Sequence, residues 1–146
     1  LHIPTSVIGF TTNANSVVHY HYLHWKNTLE ERLKLLNIRG RNCNFDGYSI
    51  RYASKLIEKR PEEHKLMIVI SDGLPSFYSG EKDAIADTAQ AIREVGKKMD
   101  IIGVAIGDTD TNSLYALYKD NFLHIANTQQ LYEQLGGRIK QKIKRW

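Results

Sequence analysis

An unbroken apolar run near the middle of the chain constrains the fold more than any other feature of the sequence. It covers residues 66–70, within the stretch 65–75. Five residues cannot span a membrane, and a strand with one face in water would alternate apolar and polar residues. The run therefore predicts a strand buried on both faces, as in a parallel sheet covered by helices. It ends at Ser71, Asp72 and Gly73, which predict either a simple turn or a ligand site at the carboxyl edge of an open sheet.

The rest of the sequence predicts alternating strands and helices. The turn residues 13–15 join two strands into a hairpin, and the later apolar segments alternate with amphipathic helical patterns. Thr28 and Thr128 are predicted to cap the first and last helices. This order indicates an α/β fold with a mostly parallel sheet and helices on both faces. We predict strands over 6–12, 17–25, 66–70, 100–106 and 121–126, and helices over 28–36, 48–59, 81–98, 112–119 and 128–143.

Length and composition predict one domain in the cytoplasm. A chain of 146 residues is long enough for a single core, and no apolar stretch approaches the roughly 20 residues of a membrane span. No signal peptide is visible. Cys43 is the one cysteine, so an internal disulfide cannot form and a reducing compartment is the simplest expectation. We therefore expect a cytoplasmic protein without membrane contact.

Basic residues are concentrated at the end of the chain. Such a segment could bind nucleic acid, but no aromatic residues are interleaved with it and no nucleic-acid-binding motif accompanies it. The solvated face of a last helix is the simpler interpretation, because cations are favourable at a helix C-terminus. The net charge is +4, and the last nine residues hold five basic side chains and no acid: Arg138, Lys140, Lys142, Lys144 and Arg145.

Two histidines of the second strand lie on one strand face. His19 and His21 are two residues apart, so their side chains are neighbours and could share a metal ion. Protein metal sites usually need a third ligand, and no Cys, Asp or Glu lies nearby in the sequence. We therefore interpret them as solvent-facing imidazoles on an amphipathic edge strand.

Polar residues follow the carboxyl ends of several predicted strands or precede a helix. These positions share one edge of a parallel sheet, which we call the rim. Oxygen-bearing side chains that converge there suit Mg²⁺ or another divalent cation held partly by water. The rim clusters are Thr11 with Thr12, Asn44 with Asp46, Ser71 with Asp72, and Asp108 with Asp110.

Three segments of the sequence resemble a von Willebrand factor A (vWA) domain. The resemblance is strongest to the vWA domains of cobaltochelatase CobT-type subunits and of nitric-oxide-reductase activation proteins. It extends over about residues 6–126, and the strand at 7–12 shares it. The residues that carry it are Asn44-x-Asp46-Gly47-x-x-Ile50-Arg51-x-Ala53, then Arg60-Pro61, then Ile68-Val-Ile-Ser-Asp-Gly-Leu-Pro75.

The resemblance implies a Rossmann-like three-layer sandwich and an ion site whose ligands come from three loops. Asp72 matches the family's aspartate after the central strand. Asn44 stands where the family has a threonine, and Asp46 follows it two residues later. The Asp-x-Ser-x-Ser loop of the family is absent, so we expect an incomplete site with weak or no metal occupancy. The partner-binding rim would be shaped by Thr11, Ser71, Phe77, Tyr78 and Asp108.

The family's first strand has no counterpart in this sequence. In the family it lies between the strands that correspond to 7–12 and 66–70, so its absence leaves two open edges. We therefore expect residues 1–146 to be a single, N-terminally truncated vWA-like domain. Either the sheet closes over the slot, or a strand from another molecule fills it by dimerisation or strand exchange.

The function that the resemblance implies is a metal-dependent protein-interaction module and not an enzyme. A partner's acidic side chain would complete the ion's coordination, and the module would work with a AAA+ ATPase that activates or metallates a target enzyme. Two alternatives remain. Residues 108–112 are similar to the Asp-x-Asp loop of haloacid-dehalogenase-like phosphatases, which suggests a Mg²⁺-dependent phosphatase-like or receiver-like domain. The basic C-terminal helix suggests nucleic-acid binding.

Overall fold

Five strands and five α-helices alternate along the described part of the chain. The computed structural model describes residues 3–14, 16–71, 74–76, 80–107 and 110–146. Short 3₁₀ turns precede or follow α1, α4 and α5. The elements are β1 (Val7–Asn13), β2 (Ser16–Leu23), α1 (Leu29–Lys34), α2 (Asp46–Glu58), β3 (Leu66–Ser71), α3 (Glu81–Gly96), β4 (Asp100–Ile106), α4 (Thr111–Tyr118), β5 (Phe122–Ile125) and α5 (Leu131–Ile143).

The strands form two sheets. β1 and β2 are an antiparallel hairpin in which Thr11 lies opposite Val18. β3, β4 and β5 are parallel, in that order, with Val69 opposite Gly103 and Gly103 opposite Phe122. The predicted α/β fold, with parallel strands and an antiparallel strand at one side, is confirmed. Among the described residues β1 pairs only with β2, and β3 only with β4.

Helix α2 packs against both sheets. The hydroxyl group of Ser49 lies 3.2 Å from the Nε2 atom of His19 on β2. One turn of the helix also contributes Ile50 to the core that contains Met67 and Val69 of β3. The helix is held on α3 by Arg51, which pairs with Asp87 and Glu94 at 2.8 and 2.7 Å. Because one rigid helix contacts β2 and β3, the two sheets lie side by side beneath it.

Strand β4 is buried on both faces and separates two apolar layers. Ile101 and Ala105 face a core built with α2, α3 and α4, whereas Ile102 and Val104 face Ile125 and the helix α5. This is the alternation that a central parallel strand requires. The predicted bounds of this strand, 100–106, agree with the structure.

The prediction that the apolar run of β3 is buried on both faces is wrong for one of its residues. Met67 and Val69 are buried in the larger core, and Leu66 and Ile68 pack against the smaller one. Ile70, however, is 47% exposed. The smaller core is built mainly on β4, β5 and α5, and it includes Leu66 and Ile68 but not Ile70.

The starts of α2 and α5 differ from the predictions, and the predicted cap of α1 is confirmed. Thr28 caps α1 as predicted, in a capping box in which its hydroxyl oxygen accepts from the backbone N–H of Glu31 and the Glu31 carboxylate accepts from Thr28 N–H. Helix α2 begins at Asp46, two residues earlier than predicted, so Asp46 belongs to the first helical turn. Helix α5 begins at Leu131 with Gln130 at its N-cap position, later than predicted, and residues 128–130 form a separate 3₁₀ turn.

The apolar stripe of α1 is exposed to solvent. Leu29 is 73% exposed, Leu33 53% and Leu36 74%. The helix contacts β2, but neither its leucines nor Leu36 in the 3₁₀ turn after it belongs to either core. Among the helices of the described residues, none combines the length and the apolar character that crossing a membrane requires.

Substitution of Gly103 tests the packing of β4 against α4. A Cβ atom at Gly103 would overlap the ring of the buried Tyr118, whereas a Cβ at Gly96 would meet no atom within 4 Å. We expect Gly103→Ala to lower the free energy of unfolding by about 1–3 kcal/mol, because overpacking forces the ring or the strand to move. The control Gly96→Ala should change it by less than about 0.5 kcal/mol. Equal effects of the two variants in chemical denaturation would contradict this packing.

Candidate functional site

The end of β1 is joined to the loop that precedes α2. The backbone N–H of Thr12 donates to the carbonyl oxygen of Cys43 at 3.0 Å, and the Thr11 hydroxyl reaches the same oxygen at 3.4 Å. The side-chain amide of Asn42 in turn donates to the carbonyl oxygen of Thr12 at 3.0 Å. Both threonines are buried. The predicted rim residue Thr11 therefore lies beside the loop that carries Asn44 and Asp46.

Asn44 joins the same loop to the segment that follows β3. Its side-chain amide donates to the carbonyl oxygen of Leu74 at 3.3 Å, and its Oδ1 atom accepts from the Ser76 hydroxyl at 2.6 Å. The Ser76 N–H also donates to the Asn44 carbonyl oxygen at 3.3 Å. The carboxyl ends of β1 and β3 consequently lie on the same side of the molecule, as the rim prediction requires.

Asp46 presents a buried carboxylate at the start of α2. Its side chain is only 3% exposed, and a position in the first turn favours a negative charge through the helix dipole. Asp46 lines a small cavity together with Ser71 at the end of β3. Burial, with a further contribution from the Asp46 charge, raises the pKa of Tyr118 above its ordinary value of 10.0. The Tyr118 phenol is therefore protonated at neutral pH.

Among the predicted site residues, Thr11 lies beside the loop that carries Asn44 and Asp46, and Asp46 and Ser71 line the same cavity. The other four, Asp72, Phe77, Tyr78 and Asp108, lie outside the described residues. Ser76, which bonds to Asn44, and Tyr118, which lines the cavity with Asp46, were not predicted, because the fold brings them together from segments that are distant in the sequence. No periodicity or motif marks such contacts.

The donor set suits a hard divalent ion that keeps part of its water. One buried carboxylate, one amide oxygen and nearby hydroxyl groups are the ligand types that Mg²⁺ and Ca²⁺ accept, and Mg²⁺ sites commonly use only one or two carboxylates. Among the described residues no three His, Cys, Asp or Glu side chains form a metal-binding group. The chemistry of the set therefore fits a hydrated Mg²⁺ better than a zinc site.

Asp110 has a local structural role. Its Oδ1 atom accepts from the backbone N–H groups of Asn112 and Ser113, and its Oδ2 atom accepts from the Ser113 hydroxyl at 2.6 Å. These hydrogen bonds, the hydroxyl one first, lower the pKa of Asp110. Asp110 is thus the N-cap of α4.

The histidines of β2 pack against α2, which corrects one expectation. His21 is exposed, with its Nε2 atom 2.9 Å from the Tyr52 hydroxyl, but His19 is half-buried and stacks on the Tyr52 ring with centroids 4.0 Å apart. The interpretation of both as solvent-facing imidazoles is therefore wrong for His19. Burial, and to a smaller extent His21, lowers the pKa of His19 below 6.5.

Comparison with known proteins identifies a family model that matches most of the chain. The model describes the VWA domain of the cobalamin biosynthesis protein CobT and matches residues 31–146. A relative, the uncharacterized protein YojO of Bacillus subtilis (strain 168), is 27% identical over 118 residues. Those residues are 74% of this chain and 18% of YojO, so the chain spans less than a fifth of that relative's length.

The lowered pKa of His19 predicts a loss of stability in mild acid. Since the folded-state pKa lies below 6.5, this contribution is complete above pH 6.5 and is lost as the pH falls through the lower value. We expect the denaturation midpoint to fall between about pH 7 and about pH 5, and to fall less in His19→Gln. The control His64→Gln alters an imidazole that stacks on Trp146, away from the hairpin, and should leave the fall unchanged. An equal fall in all three proteins would contradict this role.

Proposed function

Because the chain belongs to the CobT family of VWA domains, we propose that it acts as a metal-dependent protein-interaction module. The family assignment makes it a cobaltochelatase-related vWA module. The observation that carries the metal dependence is the junction at the rim. There, the loop of Asn44 and Asp46 is hydrogen-bonded both to the end of β1 and to the segment after β3.

Asp46 and Asn44 would hold the ion, together with Asp72. Asp46 supplies a negative charge that is shielded from solvent, which strengthens its interaction with a cation. Asn44 has an Oδ1 atom with a second lone pair beyond the one that accepts from Ser76. Asp72 is included from the sequence motif alone. With this donor set, a bound divalent ion would offer a free coordination position to a ligand from outside.

The ligand from outside would be the carboxylate of a partner protein. A set with few protein carboxylates leaves positive charge on the ion, which favours an acidic side chain over a neutral one. Thr11 and Ser71 would border the contact, and the predicted residues Phe77, Tyr78 and Asp108 would complete it. In this proposal the chain binds and does not itself catalyse a reaction.

A AAA+ ATPase is the proposed second component of the system. Two observations support this proposal: the family assignment, and the similarity of the sequence to vWA domains of cobaltochelatase and nitric-oxide-reductase activation proteins. The ATPase would remodel or metallate a target enzyme that the vWA module holds through its ion. Stimulation of ATP hydrolysis by the module would be the corresponding activity.

An apolar strand from another molecule is the proposed occupant of the slot between β1 and β3. Each of these strands pairs on only one side among the described residues, and both end at the rim, so a strand parallel to both would pair with two open edges. The 47% exposure of Ile70 beside one of these edges supports an apolar occupant. A second copy has no spare strand in its described part, so strand exchange would break existing pairs.

Metal binding is tested with Mn²⁺ as a paramagnetic stand-in for Mg²⁺. We expect weak binding, with a dissociation constant of about 10⁻⁴ to 10⁻³ M, that broadens NMR signals near Asn44 and Asp46 first. Asp46→Asn should weaken it, because the amide removes the buried charge. The control Asp120→Asn, at the amino edge of the sheet, should not. Acetate, as a model of the partner's carboxylate, should strengthen binding.

Two results would contradict the metal proposal. Binding that Asp46→Asn leaves unchanged, in a variant whose amide spectrum shows a native fold, would remove Asp46 from the site. Tight Mg²⁺ binding that Asp72→Ala abolishes would show that the site is already complete without a partner. The pair Asp46→Asn and Asp120→Asn also checks the ATPase partnership, since Asp46→Asn should reduce stimulation of ATP hydrolysis and Asp120→Asn should not.

The open edges are tested by hydrogen exchange. Amides of β1 and β3 that point toward the slot should exchange faster than the neighbouring amides that bond to β2 and β4. Native mass measurement should give a monomer. Slow exchange of every amide in both strands of a monomer would show that the slot is closed within the chain. A dimer with protected edges would instead show that a second copy fills it.

A further inference from the structure

A small cavity lies beneath the rim, between the parallel sheet and the helices α2, α3 and α4. We call it the inner cavity, and its volume is about 10 Å³. Most of its wall is apolar and comes from β3, β4 and α4. Four polar side chains also line it, one from β3 and one from each of the three helices: Ser71, Asp46, Thr88 and Tyr118.

Thr88 is a wall residue that carries a buried hydroxyl group. The residue lies in the middle of α3 and is 1% exposed. Its Oγ1 atom has no hydrogen-bond partner among the described residues. A threonine hydroxyl in a helix usually bonds to a backbone carbonyl one turn earlier, which this one does not. Because nearly all buried polar groups are hydrogen-bonded, this hydroxyl points to a bound partner in the cavity.

Tyr118 and Asp46 supply a donor and an acceptor on the same wall. The Tyr118 ring is 8% exposed and lies over Gly103, where a Cβ atom would displace it. Its phenol stays protonated at neutral pH and can donate a hydrogen bond. The Asp46 carboxylate can accept. A single small molecule that both donates and accepts could therefore satisfy the Thr88 hydroxyl and reach both of its neighbours.

We infer that the inner cavity is a binding site for one ordered water molecule that links Thr88 to Tyr118 and Asp46. The volume is that of about one water, for which roughly 10–15 Å³ is needed. Buried waters bind where two to four polar groups converge, whereas cavities that stay dry have apolar walls. The inner cavity has four polar side chains among its wall residues, so it is of the kind that binds water.

This water would fix the position of the Asp46 carboxylate from below. It joins α2, α3 and α4 at one point, directly inside the rim. If Asp46 is a metal ligand, which rests on the proposed function, the water belongs to the outer shell that orients that ligand. Thr88 is then a positioning residue for the ion site, although its side chain lies in the core.

The test uses two variants at Thr88 in the metal-free chain. Thr88→Val removes the hydroxyl with little change in shape, and Thr88→Ser keeps it. We expect nuclear Overhauser contacts between a long-lived water and the Thr88 methyl and Tyr118 ring protons in the unchanged chain. The water contact to the Tyr118 ring should persist in Thr88→Ser and be lost in Thr88→Val. Thr88→Val should also unfold at a lower denaturant concentration than Thr88→Ser.

Three results would overturn the inference. The first is the absence of a long-lived water signal in the unchanged chain. The second is a Thr88→Val variant more stable than the unchanged chain, because removing a hydroxyl from a dry cavity relieves a cost. The third is a signal that EDTA abolishes, which would identify the occupant as a metal ion. Should Thr88→Val fail to fold, Tyr118→Phe serves instead, and an undiminished water signal in it would exclude the link to Tyr118.

The positioning role has a separate readout. Thr88→Val should weaken Mn²⁺ binding by about tenfold, a typical effect of outer-shell changes, and Thr88→Ser should not. Loss of the water without a change in Mn²⁺ affinity would contradict the positioning role. A chain that holds the water but binds no Mn²⁺ would refute the proposed function and leave the water site in place.

Discussion

The hydrogen bonds of residues 42–46 connect two halves of the molecule that share no strand pairing in the part of the chain that the structure describes. On one side Asn42 and the Cys43 carbonyl bond to Thr12, and on the other Asn44 bonds to Leu74 and Ser76. Without these bonds the hairpin would be held mainly through α2 and its contacts with His19. The geometry of the rim therefore depends on a loop of five residues more than on the sheet itself.

The sequence predicted best the elements whose environment is uniform. The bounds of β4 were correct because a strand buried on both faces is a continuous apolar run with sharp polar ends. The burial of β3 was only partly correct, because Ile70 lies at an edge whose covering depends on neighbours that the local pattern does not reveal. The start of α2 was missed because Phe45 offers no capping side chain, so nothing marked Asp46 as helical.

The candidate site was predictable where a motif carries it and not where packing creates it. Asn44 and Asp46 stand out through their spacing and their resemblance to vWA domains. Thr88 and Tyr118 look like ordinary core residues of two helices, and only the fold brings them to the wall on which Asp46 lies. His19 shows the reverse case, because alternation along β2 gave its face correctly but could not show that α2 covers that face.

Burial of Asp46 links the fold to the proposed chemistry. Asp46 is 3% exposed, so its carboxylate carries a desolvation cost, which its place in the first turn of α2 partly offsets through the helix dipole. In the proposed site a nearby cation would offset that cost further, because the attraction between opposite charges is stronger away from solvent. Tyr118 fits beneath it only because residue 103 is glycine. The proposed ion site thus depends on the packing of β4 against α4, two elements that follow Asp46 by more than 50 residues along the chain.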